Sequence, residues 1–209
     1  MSNLACAVVV LGGSIENYEE IRKKISKDSY FIYCDRGLIH EKGLDRRPDL
    51  AVGDFDSCPI PEGTEVVTLP REKDDTDGLY GVKEAIRRGY DEITILGATG
   101  GRIDHSLGNI YLLDYIYSKG LTGIIIDSSS SIEIVGKEKK YIEKCYPVFS
   151  LIAAFGKAEG IEIRGAKYNL VNGTIEPNFQ YGISNEVDKS VAEVWVEKGK
   201  LLLIKNWRE

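Results

Sequence analysis

Glu92-Ile93-Thr94-Ile95-Leu96-Gly97-Ala98-Thr99-Gly100-Gly101-Arg102-Ile103-Asp104-His105 passes from a short apolar run through a glycine-rich turn into the start of a helical pattern. A run of this length closed by glycine reads as a buried strand. The stretch that follows, residues 104–117, carries apolar residues at helical spacing, and Leu107, Ile110 and Leu113 are predicted on one buried face. The same alternation recurs on the N-terminal side. Residues 5–11, 30–34, 50–53, 65–69 and 92–96, and then 123–127, read as strands, while residues 16–25 and 75–88 read as further helices. Strands alternating with helices predict a mainly parallel, Rossmann-like α/β domain over residues 1–130.

Beyond the serine run at residues 128–131 the texture changes. Residues 132–135, 141–143, 149–153, 161–164, 192–196 and 201–204 are short β-branched or aromatic segments separated by glycine and asparagine turns, without helical periodicity. They predict a second, all-β sandwich or barrel over residues 137–209, with the boundary between 128 and 137. A β domain of this size is marginal alone and is expected to pack on the first domain or on a partner subunit.

Composition narrows the function. Lys and Arg total 27 against 33 Asp and Glu, a formal charge of -6, which argues against a general nucleic-acid binder. The cysteines at 6, 34, 58 and 145 form no C-x-x-C pair and there are only two histidines, so neither a zinc site nor a disulfide framework is expected. The apolar stretch at residues 4–11 is too short to span a bilayer and lacks a basic leader, which predicts a cytoplasmic protein.

Three clusters carry chemistry. In Pro48-Asp49-Leu50-Ala51-Val52-Gly53-Asp54-Phe55-Asp56-Ser57, strand alternation would point Asp54 and Asp56 to one face at the carboxyl end of the sheet, where ligands of open α/β folds bind. Alone, such a pair also reads as turn and cap residues. Lys73-Asp74-Asp75-Thr76-Asp77 follows the next strand and opens a helix; Asp74 and Asp77 would cap it and complement its dipole. Capping accounts for one or two acids and not for the whole set, since two unpaired carboxylates about 4 Å apart repel by roughly 4 kcal/mol at an effective dielectric of about 20. A cation relieves that repulsion, and oxygen donors without a soft ligand favour magnesium over zinc.

The third cluster is the opening stretch itself. Glycines allow close approach of backbone amides to an anion, a helix N-terminus adds positive potential, and Arg102 can grip phosphate oxygens through two donors. An ordinary tight turn with Asp104 as N-cap, and His105 with Asn109 as a buried polar pair four apart, is the alternative. Gly12-Gly13-Ser14 resembles another phosphate-approach turn, while neither G-x-G-x-x-G nor G-x-x-x-x-G-K-[ST] occurs in the chain, which excludes a P-loop kinase.

Taken in order, Gly12-Gly13-Ser14, Asp35-Arg36-Gly37, Gly53-Asp54-Phe55-Asp56-Ser57, Lys73 to Asp77, Gly97 to Asn109, Gly165-Ala166-Lys167-Tyr168-Asn169-Leu170 and Gly182-Ile183-Ser184-Asn185-Glu186 resemble the bacterial thiamine pyrophosphokinase family across nearly the whole chain. The resemblance implies transfer of the terminal diphosphate of ATP to the hydroxyl of thiamine, with release of AMP. It implies magnesium on Asp54, Asp56, Asp74 and Asp77, with Asp54, Asp56, Asp77 and Arg102 as the catalytic set. On the ATP side it implies Gly13, Ser14, Asp35, Thr99, Gly100, Gly101, Arg102, Asp104, His105 and Asn109. Tyr168, Ser184 and Asn185 would face thiamine, and a homodimer with active sites between subunits is implied as well. Arg36 and Leu38 depart from the small residues of many relatives. Two competing readings are a diphosphokinase acting on another hydroxymethyl heterocycle, such as a pterin, and a non-catalytic nucleotide sensor.

Overall fold

The computed structural model describes residues 6–55, 59, 62–70 and 74–207. Its two compact units are Met1–Ser128 and Ser129–Glu209. The first contains β1 (Cys6–Val10), α1 (Tyr18–Lys24), β2 (Tyr30–Cys34), a 3-10 helix (Asp35–His40), α2 (Glu41–Leu44), β3 (Leu50–Gly53), β4 (Glu65–Thr68), α3 (Asp77–Arg87), β5 (Glu92–Leu96), α4 (Ile103–Ser118) and β6 (Thr122–Ile126). Its strands pair in parallel in the order β6-β5-β1-β2-β3-β4. Val8, Val9, Val10, Ile32, Leu50, Ala51, Val52, Ile95 and Leu96 are buried, which is why these strands are continuous apolar runs: a parallel sheet is covered on both faces. The winding reverses between β1 and β5. Four strands lie on one side of that reversal and two on the other, unlike the three-and-three order of the dinucleotide-binding fold.

Local chemistry sets the helix ends. The hydroxyl of Thr76 accepts from the Leu79 amide at 3.2 Å, so Thr76 caps α3, rather than Asp74 or Asp77. Gly81 brings α3 onto β2, since a Cβ there would stand 2.5 Å from Cys34 Sγ. On α4 the expected face is borne out at Leu113 and corrected at Leu107. Leu112, Leu113 and Ile116 are buried, whereas Leu107 is 54% exposed. The helix carries apolar residues on more than one side, so periodicity alone does not select its inner side.

The second unit contains β7 (Ser130–Val135), β8 (Lys140–Glu143), β9 (Val148–Ile152), β10 (Ala158–Arg164), β11 (Leu170–Ile175), β12 (Asn185–Glu186), β13 (Val191–Lys198) and β14 (Leu201–Asn206). Two antiparallel sheets, β12-β9-β14-β7 and β11-β10-β13-β8, form a sandwich. Phe149, Leu151, Leu201 and Leu203 from the first sheet pack with Ile142, Ile161, Ile163, Val194 and Val196 from the second.

Glu133 on β7 is buried with Lys205 at 2.5 Å and Lys140 at 2.7 Å. Burial alone would push its carboxyl up, but the two ammonium groups outweigh this and hold it below its ordinary 4.5. A carboxylate depressed by folding stabilises above its unfolded pKa, and that stabilisation is lost as pH falls through the folded value. Acid titration of unfolding is therefore expected to weaken the wild-type chain below about pH 4.5 more than a Glu133→Gln chain, whose residue 133 cannot take up the proton. Parallel acid limbs for the two would remove Glu133 from the explanation.

No helix among the described residues is long and apolar enough to cross a membrane. Cys6, Cys34 and Cys145 are free thiols.

Candidate active site

A cleft of about 780 Å³ opens at the carboxyl ends of β1, β2 and β5, beside the reversal in strand order. Its floor is backbone. The turn after β1 and the turn after β5 bond to each other beyond the strands: Leu11 N–H donates to Leu96 O at 2.8 Å, Gly13 N–H to Gly97 O at 2.8 Å and Ser14 N–H to Thr99 O at 2.9 Å. This fit requires glycine. A Cβ on Gly13 would stand 2.3 Å from Thr99 O, and Gly97 has φ 60 with Leu11 O at 2.2 Å from where its Cβ would be. The amides of Gly13 and Ser14 are thus spent within the protein. What Gly13 offers a ligand is closeness of approach rather than a donated N–H.

The wall is formed by α4 and the turn before it. Gly100, Gly101, Arg102, Asp104, His105, Gly108, Asn109, Tyr111, Leu112 and Tyr115 line it. Asn109 donates its amide to Ala98 O at 2.9 Å, so it ties the glycine turn to the helix and does not pair with the exposed His105. Thr99 Oγ1 donates to Asp127 at 3.4 Å. Arg102 holds Asp104 through two bonds, 3.1 Å from Nε and 2.5 Å from the terminal nitrogen. This contact, with the His105 amide, lowers the Asp104 carboxyl to about 2. Asp104 is not the N-cap: Arg102 occupies that position and makes no side-chain cap bond.

The third side carries the acids. Asp35, at φ 44 just after β2, lines the cleft with Arg36, and Asp77, the first residue of α3, lines it with Thr76. Asp54 and Asp74 are not among the lining residues; Asp54 is partly buried and Asp74 exposed. β3 ends at Gly53 and Phe55 has φ 54, so Asp54 stands beyond the strand. Asp56 lies outside the described residues. Among the described residues no three His, Cys, Asp or Glu side chains are gathered as a metal cage.

In the second unit the two C-terminal motifs come together. Asn185 is buried, and its carboxamide is given over to the backbone of Tyr168: Oδ1 accepts from Tyr168 N–H at 3.1 Å and Nδ2 donates to Tyr168 O at 2.8 Å. Lys167 N–H donates to Glu186 O, and Gly165 O accepts from Asp188. Tyr168 remains 61% exposed. Ser184 is exposed at φ 60, with its amide on Ser150 Oγ.

Sequence reasoning passed over Tyr111, Tyr115, Leu79 and His40. For the tyrosines the signal was the helical step from Asp104 through Gly108 to Tyr111 and Tyr115, which puts them on the face that lines the cleft.

A glycine-floored cleft at a strand reversal, with a helix N-terminus, an arginine and carboxylates around it, defines the class as a phosphate-handling α/β enzyme with an added β sandwich. Residues 21–125 match the family description "Thiamin pyrophosphokinase, catalytic domain" and residues 132–202 match "Thiamin pyrophosphokinase, vitamin B1 binding domain". The chain belongs to the thiamine pyrophosphokinase family. The Bacillus subtilis thiamine pyrophosphokinase is 28% identical over 207 residues, 95% of this chain and 97% of that protein. The crystal structure of a Bacillus subtilis thiamine pyrophosphokinase superposes with a TM-score of 0.87 at 27% identity, covering 96% of this chain and 98% of that one. That of Geobacillus thermodenitrificans superposes at 0.84 with 27% identity, covering 96% and 97%.

Proposed function

We propose that this chain transfers the terminal diphosphate of ATP to the hydroxyl of thiamine, giving thiamine diphosphate and AMP. The observation that carries the reading is that Gly13, Asp35, Asp77, Thr99, Gly100, Gly101, Arg102, Asp104, His105 and Asn109, far apart in sequence, line one cleft in a member of this family. The N-terminus of α4 and the Arg102 guanidinium supply positive potential for the ATP phosphates, and the apolar stretch formed by Leu79, Leu112 and Tyr115 offers a surface for the base. Attack by the thiamine hydroxyl on the β-phosphorus with AMP leaving in line asks the protein for positioning and charge neutralisation.

A magnesium ion fits the donors in kind. Asp77 in the cleft, with Asp54 on the loop after β3 and Asp74 just before α3, are hard oxygen ligands. An incomplete protein cage suits an ion that keeps waters and phosphate oxygens as ligands. When bound it would neutralise charge on the transferring phosphates. Asp56 belongs to the same proposed set.

Tyr168 presents an aromatic face of the kind a thiazolium cation favours, and Ser184 a hydroxyl for the aminopyrimidine. Asn185 acts on thiamine through Tyr168, whose backbone it holds. Asn185→Ala is expected to raise the KM for thiamine about fivefold, the effect of losing a buried hydrogen bond or two, with that for ATP unchanged. A rise in the ATP value instead would place this loop on the nucleotide side.

Self-association as a homodimer is part of the proposal. Ile103 and Leu107 on α4, and Val171, Phe179 and Ile183 in the sandwich, are large apolar side chains left exposed. A monomer at every concentration in sedimentation would remove it. The free thiols suit a reducing, cytoplasmic location. The experiment for the acceptor is steady-state turnover of ATP with thiamine against a hydroxymethylpterin. Thiamine is expected to be the better acceptor by at least about a hundredfold, because a site built for its polar groups leaves them unpaired with the wrong ring. Equal turnover would return the pterin reading.

A further inference from the structure

His40, at the end of the 3-10 helix, is 3% exposed and bonded through both ring nitrogens. Nε2 lies 2.8 Å from Gly13 O and Nδ1 lies 2.8 Å from the Tyr18 hydroxyl. A carbonyl oxygen has no proton to give, so Nε2 carries the hydrogen and donates it. In the neutral ring Nδ1 is then the acceptor, and Tyr18 donates to it. Burial, with Arg36 adding to it against the Gly13 bond, pushes the imidazole pKa down, which keeps this neutral tautomer at physiological pH.

Gly13 lines the cleft, and its turn is the part of the floor with the least intrinsic order. Two successive glycines lose more conformational freedom on being fixed than any other pair. The turn is gripped on one side by the Gly97 and Thr99 carbonyls through its amides, and on the other by His40 through its carbonyl. The segment that delivers His40 also carries Asp35 and Arg36, which line the same cleft, and a Cβ on Gly12 would stand 2.8 Å from the Cβ of Arg36. Tyr18 reaches His40 from the start of α1, and that helix start is itself fixed by Ser128 Oγ, which accepts from the Glu16 and Asn17 amides.

We infer that His40, oriented by Tyr18, is a positioning residue that holds the Gly12-Gly13 turn and the Asp35-Arg36 segment in register before ATP arrives, so that the ordering cost is not met at binding. The inference rests on the reading of this cleft as the ATP site. A preformed floor lowers the dissociation constant for the nucleotide and leaves that for thiamine alone.

The test is calorimetric titration of the full chain with ATP and magnesium, followed by kinetics with each substrate varied in turn, for wild type, His40→Leu, His40→Gln and Tyr18→Phe. His40→Leu is expected to weaken ATP binding and raise its KM about fivefold, the effect of one internal hydrogen bond, with the thiamine KM within about twofold of wild type. Gln places an amide N–H near the Nε2 position, so His40→Gln is expected to recover most of the loss, which a purely space-filling role would not predict. Equal loss in the Leu and Gln variants, or unchanged ATP affinity in the Leu variant, would overturn the inference. Should the Leu variant not fold, Tyr18→Phe decides, with about a twofold weakening expected for ATP alone and no change counting against it. Wild-type protein that binds no ATP would overturn the parent reading of the cleft and this inference with it; wild-type binding with indifferent variants overturns only this one.

Discussion

Asp77→Ala is expected to lower diphosphate transfer by about 10³-fold or more while the chain stays folded, because it removes a cleft carboxylate proposed to hold magnesium beside the ATP phosphates. The scale is that of losing several kcal/mol of charge stabilisation in the transition state, where about 1.4 kcal/mol is tenfold. The alternative role for Asp77 is an acid in the first turn of α3, favoured by the helix dipole. That role is worth about 0.3–1 kcal/mol, and Thr76 already caps the helix through the Leu79 amide. A helix-dipole role therefore predicts a small drop in melting temperature and little loss of rate. Thermal unfolding and initial rates at saturating and limiting magnesium separate the two. Near-normal turnover at limiting magnesium would take Asp77 out of the site, and the same pair of measurements applies to Asp54.

Arg102→Ala is expected to cost about 10²- to 10³-fold in kcat, the scale for removing one preorganised donor to developing charge. Arg102 is bound here to Asp104 by a planar, two-bond contact, and both side chains are exposed. An exposed pair of this kind contributes little to stability, so it yields readily to a phosphate that offers the same fork geometry at higher charge. On the proposed reading, Asp104 would orient the guanidinium until ATP takes it. Lys at 102 should recover only part of the rate, since a point charge cannot reproduce two parallel donors. Full recovery by Lys would show that the fork is irrelevant, and an unchanged kcat in the Ala variant would remove Arg102 from the transition state.

Much of this architecture could be read from the chain because a parallel sheet covered on both faces needs unbroken apolar strands, and residues 30–34, 50–53 and 92–96 are such runs. What was missed had weaker or contrary local signals. The strand Leu170–Ile175 is interrupted by Asn172-Gly173, which reads as a turn, and Asn172 does adopt φ 50. Pairing survives through register shifts on the neighbouring strand around Gly160. The 3-10 helix Asp35–His40 is too short to show periodicity. Leu107 was assigned to the core because α4 offers apolar residues on more than one side; only the fold decides which side is covered.

The cleft was legible as a set of loops that carry glycine, acid and arginine, since those residue types serve an anion and its counter-ion. Their division of labour was not. Asn185 looks like a ligand group in sequence and is a clamp on Tyr168 in three dimensions. Gly13 and Ser14 look like amide donors and spend those amides on Gly97 and Thr99. His40 carries no motif at all, because its importance comes from a carbonyl 27 residues away in the chain.

The central claim is a choice of bond: attack at the β-phosphorus of ATP rather than the γ-phosphorus. It is tested by incubating the purified chain with ATP, magnesium and thiamine and quantifying nucleotides and thiamine esters by chromatography, with a parallel incubation lacking thiamine. AMP and thiamine diphosphate appearing one for one, and neither forming without thiamine, is the expected result; ADP with thiamine monophosphate, or AMP released whether or not thiamine is present, would contradict it.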